Sequence, residues 1–202
     1  MKMFYAVIVL FEIGGLVFYL ASCNNKSKVN KQTQQQNQDM TKRQMVDPNN
    51  NPYTGLRDMA LSVTAEQIRV QVPSDQTKIY GVIMDWDLGK GTATLVSFLS
   101  GDASLYLSSG GGIIGGVGHD NVHQAAVAFI DKAEDYLSRT IKTETAPLPD
   151  KNGVRFYFLT NKGKFVGQEQ MKNLDNRSSQ WLGLFDEGNK VITELRLSTS
   201  NK

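Results

Sequence analysis

Apolar residues recur along this chain with two periods, and the periods alternate. In "GLRDMALSVTAEQIRV", residues 55–70, Leu56, Met59, Ala60 and Val63 fall on one side of a helix. Thr64-Ala65-Glu66-Gln67 has the form of a capping box that starts a second short turn. The pattern then changes to alternation. "TKIYGVIMDWD", residues 77–87, sets Tyr80, Val82, Met84 and Trp86 on one face of a strand and Ile79, Gly81 and Ile83 on the other. The turn "DLGKG" leads into a strand "TATLVSFLS", and "GD" leads into a third, "ASLYLSS". Three strands joined by short turns predict an antiparallel meander.

The helical period returns after residue 119. Val122, Ala125, Ala126, Phe129, Ile130, Ala133, Tyr136 and Leu137 form one stripe of a helix running to about Arg139, with Asp120 or Asn121 as its cap. "APLPDKNG" breaks the chain. "VRFYFLT" and "KFVGQEQ" flank "NKG" as a second hairpin, and a final helix carries Trp181, Leu184, Phe185, Val191, Ile192 and Leu195, interrupted or divided at Gly188. Phe156, Phe158, Phe165 and Trp181 are read as core. The order predicts an α+β domain over residues 53–202, with a five-stranded antiparallel sheet (three-strand meander, helix, two-strand hairpin, helix) and flanking helices. This element order resembles that of profilin-like and roadblock-type domains, which implies the architecture and no residue roles.

The first 52 residues read differently. "MKMFYAVIVLFEIGGLVFYLASC" begins with Lys2, continues with an apolar stretch from Met3 to Tyr19 that contains Glu12, and ends in a small-residue site. Leu20-Ala21-Ser22-Cys23 resembles the lipobox of bacterial lipoprotein precursors. That resemblance implies a signal peptide over residues 1–22, cleavage before Cys23, and acyl chains on Cys23. An uncleaved anchor is the competing reading, because the stretch is long enough to span a bilayer, although Glu12 at mid-membrane would cost about 2.5–3.5 kcal/mol. Either reading places the body outside the cytoplasm, in the cell envelope. Asn24 lacks the Asp that retains some such proteins at the inner membrane, which leans toward the outer membrane. Cys23 is the one cysteine in the chain, so there is no disulfide framework and the body is held by packing. Residues 23–52 comprise the lipidated Cys and a Gln/Asn/Lys-rich tether with few apolar residues; as a flexible coil it reaches roughly 30 Å.

Charge narrows the partners. From Asn24 to Pro52 there are five basic and two acidic residues, whereas Tyr53–Lys202 has 16 basic and 17 acidic. The basic excess belongs to the tether. A near-neutral body lacks the concentrated positive field that phosphate neutralisation requires, so no nucleic-acid partner is expected. The expected partners are the membrane, through Cys23, and a protein or small ligand.

The candidate chemistry lies in "SSGGGIIGGVGHDNVH", residues 108–123, which holds six of 18 glycines and both histidines. Gly110, Gly112 and Gly115 fit G-x-G-x-x-G, but the helix starts too late to receive a phosphate, the strand before it belongs to a meander, and no acidic residue ends a second strand. No cofactor is expected. His119 and His123 have the H-x-x-x-H spacing of zinc enzymes with Asp120 as a shorter version of the usual Glu, and Glu144 is the third ligand available along the chain. Asp85 and Asp87 could hold Ca²⁺ or act as an acid–base pair, though turn-favouring Asp beside Gly is the commoner explanation. Ser108 and Ser109 lack a nucleophile elbow. The favoured function is a membrane-anchored, non-catalytic binding or interaction module, with the glycine segment as a mobile edge of its surface. The alternative is a small extracytoplasmic hydrolase using a metal on the HDNVH segment.

Overall fold

The structure, a computed structural model, describes residues 52–116 and 118–200. The residues read as a signal peptide, Cys23 and those read as a tether before Pro52 lie outside the described residues. Among the described residues no helix is long and apolar enough to cross a membrane.

The body is α+β. Helix α1 (Pro52–Ser62) is followed by strands β1 (Ile79–Asp87), β2 (Thr92–Phe98), β3 (Ala103–Leu107) and β4 (Gly112–Ile113), helix α2 (Asp120–Glu134), and a 3₁₀ turn, Leu137–Arg139. After these come β5 (Ile141–Thr143), β6 (Gly153–Thr160), β7 (Gly163–Gln170), α3 (Met171–Asp175) and α4 (Leu182–Ser200). The described strands form one antiparallel sheet in the order β4-β3-β2-β1-β6-β7-β5. The meander and the hairpin are where the alternation puts them, and they meet through β1 and β6. The sheet has seven strands rather than five. The two additions, β4 and β5, are two and three residues long, too short to show a period, and they form the two edges.

Both faces of the sheet are covered, so β1 and β2 are buried over nearly all their length. On one face Val82, Met84, Leu95, Phe156 and Phe158 pack with Val122, Ala126, Phe129, Ile130 and Ala133 of α2 and Leu184, Val191 and Leu195 of α4. On the other, Tyr80, Ile83, Val96, Tyr157 and Leu159 lie under Tyr53 and Ala60 of α1 and Ala65 of the segment after it. A register irregularity between Ile79 and Gly81 moves two residues off the expected faces: Ile79 joins Val82 and Met84, and Tyr80 joins Ile83.

Several local expectations change for identifiable reasons. The inner face of α1 is Tyr53, Arg57 and Ala60, and Met59 is 57% exposed, because Arg57 has a buried partner in the sheet. The capping box forms as read, with Thr64 N donating to Gln67 Oε1 at 2.9 Å and Gln67 N to Thr64 Oγ1 at 3.4 Å. The N-cap of α2 is His119, without a side-chain cap bond, and Asp120 stands in the first turn instead. That helix ends at Glu134, short of Arg139, and the chain tightens into the 3₁₀ turn. Trp181 precedes α4 by one residue, and α4 runs unbroken through Gly188. Gly188 serves packing: a Cβ there would lie 3.0 Å from the Met84 thioether sulfur.

Candidate functional site

The glycine-rich stretch forms a small hairpin edge. Leu107 N donates to Gly111 O and Gly110 N to Leu107 O, closing a turn between β3 and β4. Gly110 and Gly111 have φ of 100° and 80°, which favours glycine. At Gly112 a side chain would put its Cβ 2.3 Å from Leu105 O, so the partner strand itself demands glycine there. The segment is therefore partly strand, where the sequence suggested only a connection.

The two histidines point to different surroundings. His119 lines a surface depression of about 410 Å³ with Asp120, Glu194 and Ser198. The His123 ring instead lies over the β2–β3 turn, so close that a Cβ on Gly101 would be 1.9 Å from its Nδ1. Glu144 follows β5, at the opposite edge of the sheet from the β2–β3 turn and α2. Among the described residues, no three or more His, Cys, Asp and Glu side chains gather where they could hold a metal.

Asp85 and Asp87 have separate structural tasks. Asp87 caps turns, accepting from Gly89 N at 3.3 Å and Asn152 N at 2.6 Å. Asp85 is fully buried beneath α1. Its Oδ2 accepts from Arg57 Nη2 at 2.6 Å and Nε at 3.0 Å, and its Oδ1 accepts from Thr94 Oγ1 at 2.5 Å. Because the Thr94 hydroxyl hydrogen is committed to Asp85, the Tyr53 hydroxyl donates in the 2.8 Å bond between Tyr53 and Thr94. The Arg57 guanidinium stands 5.6 Å from the centre of the Tyr157 ring. Burial alone would lower the Arg57 pKa, but its hydrogen bond and charge interaction with Asp85 outweigh this and raise it. Burial raises the Tyr53 and Tyr157 hydroxyls above their ordinary value. This polar cluster fastens α1 onto the sheet.

The same cluster supports a groove. Arg57 Nη2 also donates to Ala146 O at 2.8 Å, and Pro147 O accepts from the Tyr157 hydroxyl and from Arg155 Nη1 at 3.3 Å. These bonds hold residues 143–147 as one wall. Opposite it, Arg139 lies over the Tyr136 ring at 5.0 Å and donates through Nη1 to Gln180 O at 2.9 Å. Glu169 steadies that second wall by accepting from Ser179 Oγ at 2.5 Å and Asn173 Nδ2 at 2.8 Å. Its burial would raise the carboxyl pKa; these hydrogen bonds, with one from Gln170 N, lower it below the usual value. Between the walls is a groove of about 440 Å³ floored by Tyr157, Val166, Gly167 and Gln168. Among the described residues its lining includes two guanidiniums, Arg139 and Arg155, and no carboxylate; Asp150, paired with Arg155 at 3.8 Å, lies just outside it.

No family model, no curated protein and no solved structure matches this chain.

The reading of the site therefore rests on its own chemistry. Among the described residues Arg155 Nε is buried with no hydrogen-bond partner, an arrangement that is costly unless a ligand or solvent completes it, while Nη2 of the same guanidinium stands 3.8 Å from Oδ1 of the exposed Asp150. Sequence reasoning did not single out Arg57, Arg139 or Arg155. The available signal was Arg155 at an alternating position inside the otherwise apolar "VRFYFLT".

Proposed function

We propose that this protein is a lipid-anchored envelope lipoprotein whose α+β body is a non-catalytic binding module, with the groove between residues 143–147 and 180–181 as its ligand surface. The observation that carries the binding reading is the lining of that groove. It has two guanidiniums, no carboxylate, and polar Thr and Gln side chains around an aromatic and aliphatic floor. This is the mixture of apolar body and few directed polar groups that ligand clefts use. The lipobox at Cys23 and the tether support the location, with the outer membrane favoured by Asn24.

The anchor has a direct test. Cells expressing the chain and fed an alkynyl fatty acid should yield a labelled, membrane-associated protein lacking residues 1–22. The Cys23→Ala variant should lose the label entirely, because a thioether-linked diacylglycerol and the acylated amine both depend on that residue. Equal labelling of the two would remove the lipoprotein assignment.

A further inference from the structure

The groove lies where the sheet is incomplete. Strand β7 pairs with β6 along all eight of its residues, but with β5 only over Lys164–Val166. Residues 167–170 therefore run past the end of β5, and among the described residues no strand lies beside their outer edge, where Gln170 N is bonded to Glu169 Oε1. Such an edge is a template for another extended chain. At the groove Gln168 is exposed, with Gly167 buried and Glu169 and Gln170 half-buried, beside Ile141, which is 71% exposed, and between two walls that hydrogen bonds hold in place.

The two guanidiniums flank this edge from opposite faces. Arg155 pairs in register with Gln168, and it shares a face with Tyr157, two residues on, which packs on the α1 side. Arg139 lies over Tyr136, which belongs to the core on the α2 and α4 side. Successive side chains of a strand point to opposite faces. A strand added at the edge would thus present neighbouring side chains to different guanidiniums.

We propose that the groove takes an acidic peptide segment in extended conformation, added as a strand beside residues 167–170, with two consecutive carboxylate side chains paired to Arg139 and Arg155. This rests on the groove being the ligand surface. Main-chain bonds would supply the pairing, and the charge-assisted contacts would supply the selection for acidic sequence.

The test uses the full chain in detergent and pools of heptapeptides. In one pool a central Glu-Glu is flanked by Val, Ile, Thr or Tyr; in a second, Lys-Lys replaces Glu-Glu; in a third, prolines at alternate flanking positions prevent strand pairing. Glutarate serves as a small dicarboxylate. The Glu-Glu pool should bind and shift the amide NMR signals of Gln168 and Glu169, and the Lys-Lys and proline pools should not. Arg139→Gln and Arg155→Gln should each weaken binding about tenfold, with circular dichroism confirming that the variants are folded. No shift at those amides with the Glu-Glu pool overturns the inference, whatever the variants do. If glutarate and the proline pool bind equally well at Arg139 and Arg155, the groove is a small-anion site: the strand-addition inference falls and the ligand-surface reading stands. Binding that shifts only signals remote from the groove removes both.

Discussion

Replacing Asp85 with Ala is expected to destabilise the body by about 3–5 kcal/mol, the range seen when one partner of a buried ion pair is removed. Asp85 is 0% exposed and Arg57 6%, so the guanidinium left behind has neither its counter-charge nor ready access to water. For a body of this size that corresponds to a fall in Tm of about 6–20 °C. Replacing both partners, Asp85→Leu with Arg57→Met, should cost clearly less than Asp85→Ala alone, because no uncompensated charge remains. Thermal unfolding of Asp85→Leu, Arg57→Met and the double variant gives the coupling directly. Additive losses would show that the pair has no interaction of the size its geometry indicates. The loss should also reach the groove, since Arg57 Nη2 holds Ala146 O at 2.8 Å and Ala146 adjoins the wall at Pro147.

Gly167→Ala is the second large effect. Its added Cβ would lie 2.0 Å from Trp181 Cη2 and 2.5 Å from Cζ2. The indole cannot retreat easily. It is stacked on Phe156, with ring centres 5.4 Å apart, and on Tyr136 at 5.5 Å, and it is 3% exposed. Overpacking a fixed ring costs typically 1–3 kcal/mol and sometimes more, and we place this substitution at about 3 kcal/mol. Adding Trp181→Phe, which removes the outer ring, should recover part of the stability in the Gly167→Ala background while costing stability in the parent. Chemical denaturation of the four proteins measures this, and a fully tolerated Gly167→Ala would contradict the packing described. Because Gly167 and Trp181 both line the groove, ligand affinity should fall in Gly167→Ala even where the protein remains folded.

These two sites show what a one-dimensional pattern reveals. The long elements were legible because each carries its signal over many residues: five buried residues at helical spacing mark α2, and β1 and β6 are runs of β-branched and aromatic residues buried over nearly all their length. Edge strands β4 and β5 were not legible, since two or three residues carry no period. The inner face of α1 was misread because a charged residue, Arg57, occupies a buried position there; its partner lies 28 residues away in β1. Asp85 attracted notice for its chemistry, yet its neighbour Asp87 suggested a surface turn, and only the tertiary pairing separates the two roles. The groove draws on four stretches of chain, residues 139–147, 155–157, 166–168 and 180–181, whose polar members follow no common spacing. The histidines, prominent in the sequence because they are four residues apart and there are two in all, belong to separate surroundings once His123 is laid over Gly101.

The central claim, that the body is a binding module working through this groove, is tested most directly by photo-cross-linking in living cells. Benzoylphenylalanine placed at Thr145 or Gln180, both exposed on the groove walls, should give discrete adducts with a cell-envelope component on irradiation. The same group at Lys90 in the β1–β2 turn or at Asp131 on the outer side of α2 should give none. Adducts at Lys90 and Asp131 with none at Thr145 and Gln180 would place the binding surface elsewhere, and no adduct at any of the four positions would contradict the binding reading itself.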